Sequence, residues 1–322
     1  MSTRLVPAEG ALLDRILRET YPLWSDGLSP EAYARYNEAQ RRTPWGAAHL
    51  ERVALVEGDT LVASAKRYDL SARLDGRIRR VLGIGAVFTA LDRRGQGGAS
   101  TLMAQLLEAG VAEGYEFALL FSEIGPSYYE RFDFVPIPLV ASTLAVKGPS
   151  GTPAMLVRAG DDRDIPLVAE MSGKRSRDAR FALDRTEDLI RYAIAKKRLL
   201  AGFGPPGLRQ VEFLVAEEGH MAVAYLVCSH HEGRWTIEEC GDRDPEGARL
   251  GAMLQAMLAR EPTHATPEIH AWWPAGWAPP QLEITGTRQT TEVMMLRPLQ
   301  DRTLPLPPLE ASQIVYWHAD VF

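Results

Sequence analysis

The chain has 322 residues, of which 46% are hydrophobic and 24% are charged. This length allows two domains of about 150 residues, and the composition is that of a globular protein rather than a disordered, collagen-like or coiled-coil chain. The 36 basic and 42 acidic side chains leave a net charge of -6. The basic excess typical of nucleic-acid-binding or lipid-binding surfaces is therefore absent from the overall charge.

The N-terminal residues and the cysteines bear on the cellular compartment. Pro7 and Glu9 interrupt the segment where a secretory signal would be continuously apolar, and the longest apolar run, residues 221–228, is too short for a membrane helix. Cys228 and Cys240 are the two cysteines, and they fit neither a disulfide framework nor a zinc motif. We therefore expect a soluble, cytoplasmic protein with buried thiols and no metal.

Hydrophobic periodicity and turn residues predict that an antiparallel meander forms the centre of the first half. Gly58-Asp59 and Asp75-Gly76 are hairpin turn signals, and Ser29 is a helix N-cap candidate. The predicted elements in chain order are helices 11–21 and 30–42, strands 52–57, 60–70 and 77–89, helix 99–111, strand 117–122, a short helix 127–132 and a strand near Phe134.

The order of elements recurs after residues 148–153, whose glycine, proline and small polar residues are typical of a linker. The predicted elements of the second half are helices 164–171 and 186–197, strands 211–216, 221–229 and 234–240, helix 247–260 and strand 268–272. We therefore expect domains at 1–147 and 153–298, with a tail at 299–322 that docks on the first domain. The fold class is α/β (α+β), with two copies of one fold in which helices flank mixed, mostly antiparallel sheets.

The most informative segment joins a predicted strand to a predicted helix and reads Arg94-Gly95-Gln96-Gly97-Gly98-Ala99-Ser100. Its glycines allow close approach of the backbone, and the free N–H groups and dipole of a helix N-terminus favour an anion such as a pyrophosphate. Arg94 adds a forked cationic donor. A P-loop would have a lysine after the glycines, and a dinucleotide loop would follow the first strand of a parallel βαβ unit. Both alternatives are disfavoured.

This segment resembles the Arg/Gln-x-x-Gly-x-Gly/Ala signature of the GNAT superfamily of acyl-CoA-dependent N-acyltransferases. The family's second motif, Tyr-x-x-x-Gly-Phe, is similar to Tyr129-Glu130-Arg131-Phe132-Asp133-Phe134, in which Asp133 replaces the glycine. The resemblance covers residues 1 to about 145. Residues 120–125 and the duplicated architecture look most like fungal lysine N-acetyltransferases and the bacterial "enhanced intracellular survival" aminoglycoside acetyltransferases.

The resemblance implies acetyl-CoA as the cosubstrate and two groups of binding residues. The main chain of one strand would pair with the pantetheine arm, and the glycine-rich segment would hold the pyrophosphate. These expected binding residues are Val87, Phe88, Thr89, Arg94, Gly95, Gln96, Gly97, Gly98, Ala99 and Ser100. Gly83 and Gly85 indicate either a bulge that splays this strand from the next one or close packing against a neighbour.

The implied reaction needs a base for the attacking amine and an acid for the leaving thiolate. Tyr129 is the candidate acid because it occupies the matched motif position, whereas Tyr128 is expected to pack. Three routes remain open for the base: Glu123 at the end of a strand, the α-carboxylate of Phe322 by analogy with the survival-type enzymes, or water. The apolar final residues are expected to dock rather than to extend into solvent.

The second copy is expected to be degenerate. Residues 241–247, which correspond to the pyrophosphate segment, include three carboxylates and Pro245, and these would repel phosphate and remove a donor amide. Trp272, Trp273 and Trp277 fit either a ligand site or the core.

The sequence therefore predicts an acyltransferase that moves an acetyl group from acetyl-CoA to a primary amine of a small molecule or lysine-like acceptor, with no nucleic acid or membrane as partner. The acidic balance favours a cationic acceptor. The alternative is a non-catalytic protein that binds or senses acyl-CoA. The oligomeric state stays open.

Overall fold

The computed structural model describes residues 3–148, 155–261, 266–300 and 308–322. Its helices are α1 Gly10–Trp24, α2 Pro30–Arg42, α3 Pro44–His49, α4 Gly98–Ala112, α5 Ser127–Glu130, α6 Ile165–Ser176, α7 Glu187–Phe203 and α8 Ala248–Leu258. Its strands are β1 Thr3–Pro7, β2 Leu50–Glu57, β3 Thr60–Leu74, β4 Arg77–Thr89, β5 Phe117–Ser122, β6 Val135–Ile137, β7 Val140–Val146, β8 Leu156–Ala159, β9 Phe181–Leu183, β10 Arg209–Glu218, β11 Met221–His231, β12 Arg234–Asp242, β13 Glu268–Ala271, β14 Leu282–Gln289, β15 Val293–Pro298 and β16 Ile314–Val315.

The chain forms two compact units. Among the described residues, unit 1 comprises 3–137, 291–300, 308 and 322, and unit 2 comprises 138–148, 155–261, 266–290 and 309–321. This division differs from the expected boundary at 148–153, of which residues 149–153 lie outside the described residues. Each unit contains a mixed sheet flanked by helices, so the predicted fold class is confirmed.

The sheet of unit 1 follows the order β1-β2-β3-β4-β5-β15-β6. Along this order of seven strands, β4 and β5 pair in parallel and the other pairs are antiparallel, and the predicted meander of β2, β3 and β4 is confirmed. Asp75 and Gly76, with φ of 48° and 77°, form the tight turn between β3 and β4. Leu102, Met103 and Leu106 on α4 are buried against this sheet, as their helical spacing predicts.

The sheet of unit 2 repeats this arrangement in the order β8-β10-β11-β12-β13-β7-β14. Again only one pairing, that of β12 with β13, is parallel, and it follows an antiparallel meander of β10, β11 and β12. Helix α8 follows β12 as α4 follows β4, and Leu250, Met253 and Leu254 bury its apolar face. The structure therefore contains two copies of one order of elements.

Each sheet includes one strand from the opposite half of the sequence. In unit 1, β15 lies between β5 and β6, and in unit 2, β7 lies between β13 and β14. The expected domains 1–147 and 153–298 would have kept β7 in the first domain and β15 in the second. Glycine and proline residues indicate where the chain turns. The pairing of strands depends on contacts between distant segments, which local composition does not predict.

The C-terminal segment differs from the expectation that residues 299–322 dock on the first domain. Residues 301–307 lie outside the described residues, and 309–321 belong to unit 2, where Ile314, Tyr316 and Trp317 are buried. Only Phe322 packs in unit 1 at this end of the chain. In unit 2, β16 pairs in parallel with β9.

The long amphipathic elements match the sequence prediction closely. Helix α2 spans Pro30–Arg42 as predicted, and the hydroxyl of Ser29 accepts a hydrogen bond from the Ala32 amide at 3.2 Å. Short or edge elements such as β1, β8 and β16 were not predicted, because few residues carry their periodicity. Within the described ranges, the helices lack the length and apolarity needed to cross a membrane.

The position of β15 predicts a large effect of Met295→Ala on the stability of unit 1. Met295 is fully buried, lies opposite Leu120 of β5 and belongs to the same core as α4. We expect the substitution to lower the free energy of unfolding by about 2–4 kcal/mol, measured by denaturant titration. Met221→Ala, at a methionine that is 51% exposed, is the matched control. Equal effects of the two substitutions would contradict the burial of β15.

Candidate functional site

Strands β4 and β5 diverge near the middle of the sheet of unit 1. Phe88 of β4 pairs with Ser64 and Gly85 pairs with Lys66, so two residues, Ala86 and Val87, lie opposite one residue of β3. This is a β-bulge, and Ala86 adopts a φ of 48° within it. The register between β4 and β5 ends at Ile84 and Leu120, although both strands continue beyond these residues. The splay expected from the sequence is therefore present.

The bulge leaves one edge of β4 available to a ligand. Gly85, Phe88 and Thr89 keep their pairing with β3, and residues 85–89 have no strand partner on the β5 side in the described part of the chain. Phe88 is buried, whereas Val87 and Thr89 are half-buried. An extended ligand can add to such an edge through main-chain hydrogen bonds, which is the role expected of Val87, Phe88 and Thr89.

The glycine-rich segment forms the N-terminus of α4. Gly95 and Gly97 have φ of 76° and 79°, the left-handed region that favours glycine. The Thr101 amide donates to the Gly97 carbonyl at 3.0 Å, which begins the helical hydrogen bonds. The amides of Gly98, Ala99 and Ser100 precede that bond and have no intrahelical acceptor. Such amides, at the positive end of the helix dipole, have the geometry that favours an anion.

Two glycines of this segment have different roles. A Cβ atom at Gly98 would lie 2.7 Å from Cγ1 of Val62, so this glycine allows α4 to approach β3 closely. A Cβ atom at Gly97 would meet nothing within 4 Å, so the space in front of it is open to a ligand. The segment therefore combines close packing on one side with an accessible face on the other.

Two guanidinium groups lie near this helix N-terminus. Arg94 is exposed, and no ion pair joins it to any residue that the structure describes. Arg131 donates from Nη2 to the hydroxyl of Ser100 at 2.8 Å, and its guanidinium lies 4.0 Å from the centroid of the Tyr128 ring. No role was expected for Arg131 from the sequence. Its place in the second motif was visible, but its proximity to Ser100, 31 residues earlier, was not.

Tyr129 lies on α5 and is 8% exposed, within the core cluster that includes residues of β4, β5 and α4. Burial, together with smaller effects of the nearby Tyr128 and Glu123, raises the pKa of its phenol to about 12. The hydroxyl therefore keeps its proton at neutral pH, as a general acid must. The neighbouring Tyr128 packs against the same core cluster, as expected.

The turn after α5 retains its geometry despite the replacement of glycine. Asp133 has a φ of 63°, the left-handed conformation that glycine usually supplies after a helix. The Phe134 amide donates to the Tyr129 carbonyl at 3.3 Å, and the Asp133 amide donates to the Glu130 carbonyl at 2.9 Å. Aspartate tolerates this conformation better than most residues. The departure from the family motif therefore leaves the position of Tyr129 intact.

Phe322 lies over the point at which β4 and β5 diverge. Its ring centroid is 4.6 Å from that of Tyr68 and 5.6 Å from that of Phe121. A Cβ atom at Gly83 would lie 2.9 Å from Cζ of Phe322, and one at Gly85 would lie 3.1 Å from its main-chain oxygen. The glycines therefore serve close packing, and the bulge falls at the two residues that follow them. Both interpretations of Gly83 and Gly85 thus hold in part.

Glu123 occupies a more exposed position than Phe322. It follows the last residue of β5, and its carboxylate accepts a hydrogen bond from Nε1 of Trp24 at 3.4 Å. It lies near enough to Tyr129 to raise the pKa of the phenol. The two candidate bases therefore differ in surroundings, because Glu123 faces solvent and the Phe322 main chain lies against β4.

Unit 2 has a corresponding divergence, which the chain itself fills. The register between β12 and β13 ends at Ile237 and Ala271, and Glu238 is the extra residue opposite β11. The buried carboxylate of Glu238 accepts from Ser229 at 2.7 Å, lies 2.7 Å from Nδ1 of His318 and pairs with Lys197 at 2.8 Å. Burial opposes its charge, but Lys197 and the hydrogen bond with His318 lower the pKa of Glu238. The C-terminal segment of unit 2 thus occupies this position.

The N-terminus of α8 is likewise occupied by a side chain of unit 2. The two oxygens of the Asp242 carboxylate accept hydrogen bonds from the Leu250 amide at 2.9 Å and the Asp244 amide at 2.8 Å. Burial raises the pKa of Asp242, and these two amides act in the opposite direction. A carboxylate therefore lies where the equivalent helix of unit 1 has free amides.

The tryptophans and cysteines of unit 2 are core residues. Trp273 and Trp277 stack with their ring centroids 4.9 Å apart and belong to the main core cluster of this unit, while Trp272 is 7% exposed. Cys228 and Cys240 are buried and free, and burial raises the pKa of both thiols. The core interpretation of the tryptophans is therefore the correct one.

Comparison with known proteins identifies the class of this fold. Residues 18–137 match the family described as an acetyltransferase (GNAT) domain. A probable N-acyltransferase from Enterococcus faecalis superimposes with a TM-score of 0.69 at 11% identity, covering 93% of this chain and 73% of that chain. A GCN5-related N-acetyltransferase from Kribbella flavida gives 0.68 at 19% identity, covering 93% and 71%. Eis1 from Mycobacterium abscessus gives 0.57 at 13% identity, covering 93% and 74%. No curated protein sequence matches the chain.

The family match and the fold together place residues 18–137 of unit 1 with GNAT acetyltransferase domains, a class of acyltransferases. More particularly, the chain contains a GNAT acetyltransferase domain at residues 18–137, within unit 1, and it shares its fold over most of its length with solved N-acetyltransferases that include an enhanced-intracellular-survival type. The resemblance stated from the two motifs is therefore confirmed.

The open face at Gly97 predicts that Gly97→Glu abolishes acetyl-CoA binding. A side chain there is strained at a φ of 79°, and its carboxylate would repel a pyrophosphate at the α4 N-terminus. We expect affinity to fall at least ~100-fold in isothermal titration. Gly76→Glu, at a φ of 77° with equally open space in a hairpin turn, controls for charge and strain. Unchanged binding by the Gly97 variant would show that the cofactor lies elsewhere.

Proposed function

We propose that unit 1 transfers an acetyl group from acetyl-CoA to a primary amine, with both substrates bound together. The observation that carries this proposal is the open edge of β4 beside the free amides of α4, with Tyr129 and Phe322 in the same unit. Binding both substrates in one site supplies much of the rate enhancement, since it replaces a bimolecular encounter by a positioned attack.

The residues of unit 1 fit the cosubstrate in two places. The N–H groups of residues 95–100, with Arg94 and Arg131, offer donors and positive charge to a pyrophosphate. The β5-facing edge of residues 87–89 offers main-chain groups to the amides of a pantetheine arm. The proposed binding residues are therefore those expected from the sequence, with Arg131 added.

We propose Tyr129 as the group that donates a proton to the leaving thiolate. A phenol whose pKa is about 12 stays neutral through the physiological range and is therefore able to donate. Its burial in the core and the hydrogen bonds of the turn that follows it fix its position. The aspartate in place of glycine thus gives no support to a decayed, non-catalytic second motif.

We propose the α-carboxylate of Phe322, rather than Glu123, as the base that accepts the proton of the amine. Its main-chain atoms lie against Gly85, at the point where the thioester would leave the β4 edge. The ring contacts with Tyr68 and Phe121 hold the residue there. Glu123 is exposed, and its carboxylate accepts a hydrogen bond from Trp24, which favours a role at the edge of the site rather than at the reacting atoms.

We further propose that unit 2 does not bind CoA and that the protein acts in the cytoplasm on an amine of a small molecule or lysine-like acceptor. Asp242 occupies the helix N-terminus that a pyrophosphate would need, and the segment around His318 fills the divergence of β12 and β13. The two buried, unpaired thiols favour a reducing compartment.

Tyr129→Phe is expected to lower kcat at least tenfold, because general acid catalysis contributes roughly 10²–10⁴-fold. Affinity for acetyl-CoA should be retained, and Tyr128→Phe, which removes a hydroxyl with no hydrogen-bond partner in the described residues, is the matched control. Thiol release across a panel of amines measures both. Unchanged turnover in the Tyr129 variant would remove this residue from the mechanism, and tight CoA binding with no thiol release in the unmodified protein would favour the sensor alternative.

The proposed base is tested by adding one glycine after Phe322. The added residue converts the carboxylate at Gly85 into an amide carbonyl, so we expect kcat to fall at least ~10-fold and the acidic limb of the pH–rate profile to change. Phe322→Leu keeps the carboxylate and should retain more activity than the extended chain. If Glu123→Gln loses the activity and the extended chain keeps it, Glu123 is the base instead.

A further inference from the structure

Arg52 of β2 is a buried cation that has no carboxylate partner in the described part of the chain. The residue is 4% exposed, and its side chain makes one hydrogen bond, from Nη2 to the amide oxygen of Asn37 at 3.3 Å. Its Nη1 is buried and has no hydrogen-bond partner. Buried guanidinium groups are normally paired, because removal of their hydration is costly. A buried guanidinium without an ion-pair partner therefore favours the binding of an anionic ligand from solution.

A second arginine reinforces this positive charge. Arg41 of α2 is close enough to lower the pKa of Arg52, in addition to the larger effect of burial. Among residues 3–148, 155–261, 266–300 and 308–322, no carboxylate lies within ion-pair distance of either arginine. Arg42, the next residue of α2, is by contrast paired with Glu38 at 2.6 Å.

Both arginines line a cavity of about 240 Å³ between α1, α2 and β2. Leu13, Leu17 and Leu50 form its apolar wall. Of its two acidic residues, Glu38 is paired with Arg42 and Asp14 is exposed. A larger cavity of about 450 Å³, near His49, is also lined by Arg41, Leu50 and Arg52. The two arginines therefore border space that a ligand can enter.

This cavity lies on the face of the sheet that carries Phe322. Arg52 pairs with Lys66 and Lys66 pairs with Gly85, so these residues point to one side of three adjacent strands. At ~4.8 Å per strand, the Cα atoms of Arg52 and Gly85 are about 10 Å apart. Tyr68 lies close to both positions, because it is near enough to act on the pKa of Arg52 and its ring is tilted against that of Phe322 with the centroids 4.6 Å apart.

We propose that Arg52 and Arg41 bind a carboxylate of the acceptor, which is therefore an amino carboxylate whose amine and acid are separated by a short aliphatic chain. The amine would lie beside Phe322 at the β4–β5 divergence, the chain against the leucines, and the acid on the forked donors of Arg52. The proposal rests on acetyl transfer in unit 1. It replaces the purely cationic acceptor expected from the overall charge.

The test compares three acceptors of equal chain length: 6-aminohexanoate, its amide 6-aminohexanamide, and 1,6-diaminohexane. We expect kcat/KM for the acid to exceed that for the amide at least ~10-fold, since a charge-assisted pair is replaced by a neutral contact. In Arg52→Gln this preference should fall to within about twofold, and Arg41→Gln should reduce it in part. The control Arg42→Gln, at an exposed arginine of the same helix, should retain it.

The thermal stability of Arg52 variants distinguishes a ligand-binding role of Arg52 from a structural one. If Arg52 serves to bind a ligand, Arg52→Gln removes a buried charge with one neutral partner and leaves the thermal midpoint unchanged or higher. A clear fall in the midpoint of Arg52→Gln, with the acid preference retained in that same variant, would assign Arg52 to the core and overturn the proposal.

The two levels of the proposal fail in different ways. Transfer to amines with equal kcat/KM for acid and amide in the unmodified protein would overturn the carboxylate site while acetyl transfer stands. If no amine is acetylated, the proposed function fails and calorimetric titration with hexanoate, which has no amine, still decides the site. Heat of binding that disappears in Arg52→Gln supports the site, and heat that is absent or unchanged by the substitution overturns it.

Discussion

The extra residue in β4 is the constraint on which the site of unit 1 depends. Ala86 holds a left-handed backbone conformation with a φ of 48°, at a cost of order 1–3 kcal/mol that the surrounding strands must offset. The bulge increases the local twist and ends the pairing with β5 at Ile84. The free edge of residues 87–89, the space above Gly85 and the position of Phe322 all follow from this one irregularity.

Unit 2 shows that the same backbone irregularity does not by itself create a binding site. Its bulge at Glu238 opens an equivalent divergence, but Lys197 pairs with that carboxylate and His318 makes a hydrogen bond with it. At the helix that follows, Asp242 satisfies amides that remain free in unit 1. The two copies thus differ in a few side chains rather than in topology. In one copy the polar groups of the backbone are available to a ligand, and in the other they are internally satisfied.

Much of the fold could be predicted from the sequence, because the periodic elements are long and their turns have marked chemistry. The exchange of β7 and β15 between the two sheets could not be predicted, because the strands that pair lie far apart in the chain. At the site, the glycine-rich segment and Tyr129 were evident from spacing and resemblance. The contact of Gly85 with Phe322 was not evident, because it joins residues more than 200 positions apart. The lack of a carboxylate partner for Arg52 among the described residues was not evident either, because it depends on burial.

The exchange of strands also delays the folding of unit 1 during synthesis. Unit 1 needs β15, whose residues 293–298 complete the sheet beside β5, so its sheet stays incomplete until most of the chain has left the ribosome. At about 5–20 residues per second, the edge of β5 would wait many seconds for its partner. An apolar, unpaired strand edge is prone to association during that interval. We therefore expect nascent chains of this protein to depend on molecular chaperones more than a GNAT domain whose strands all come from one continuous segment.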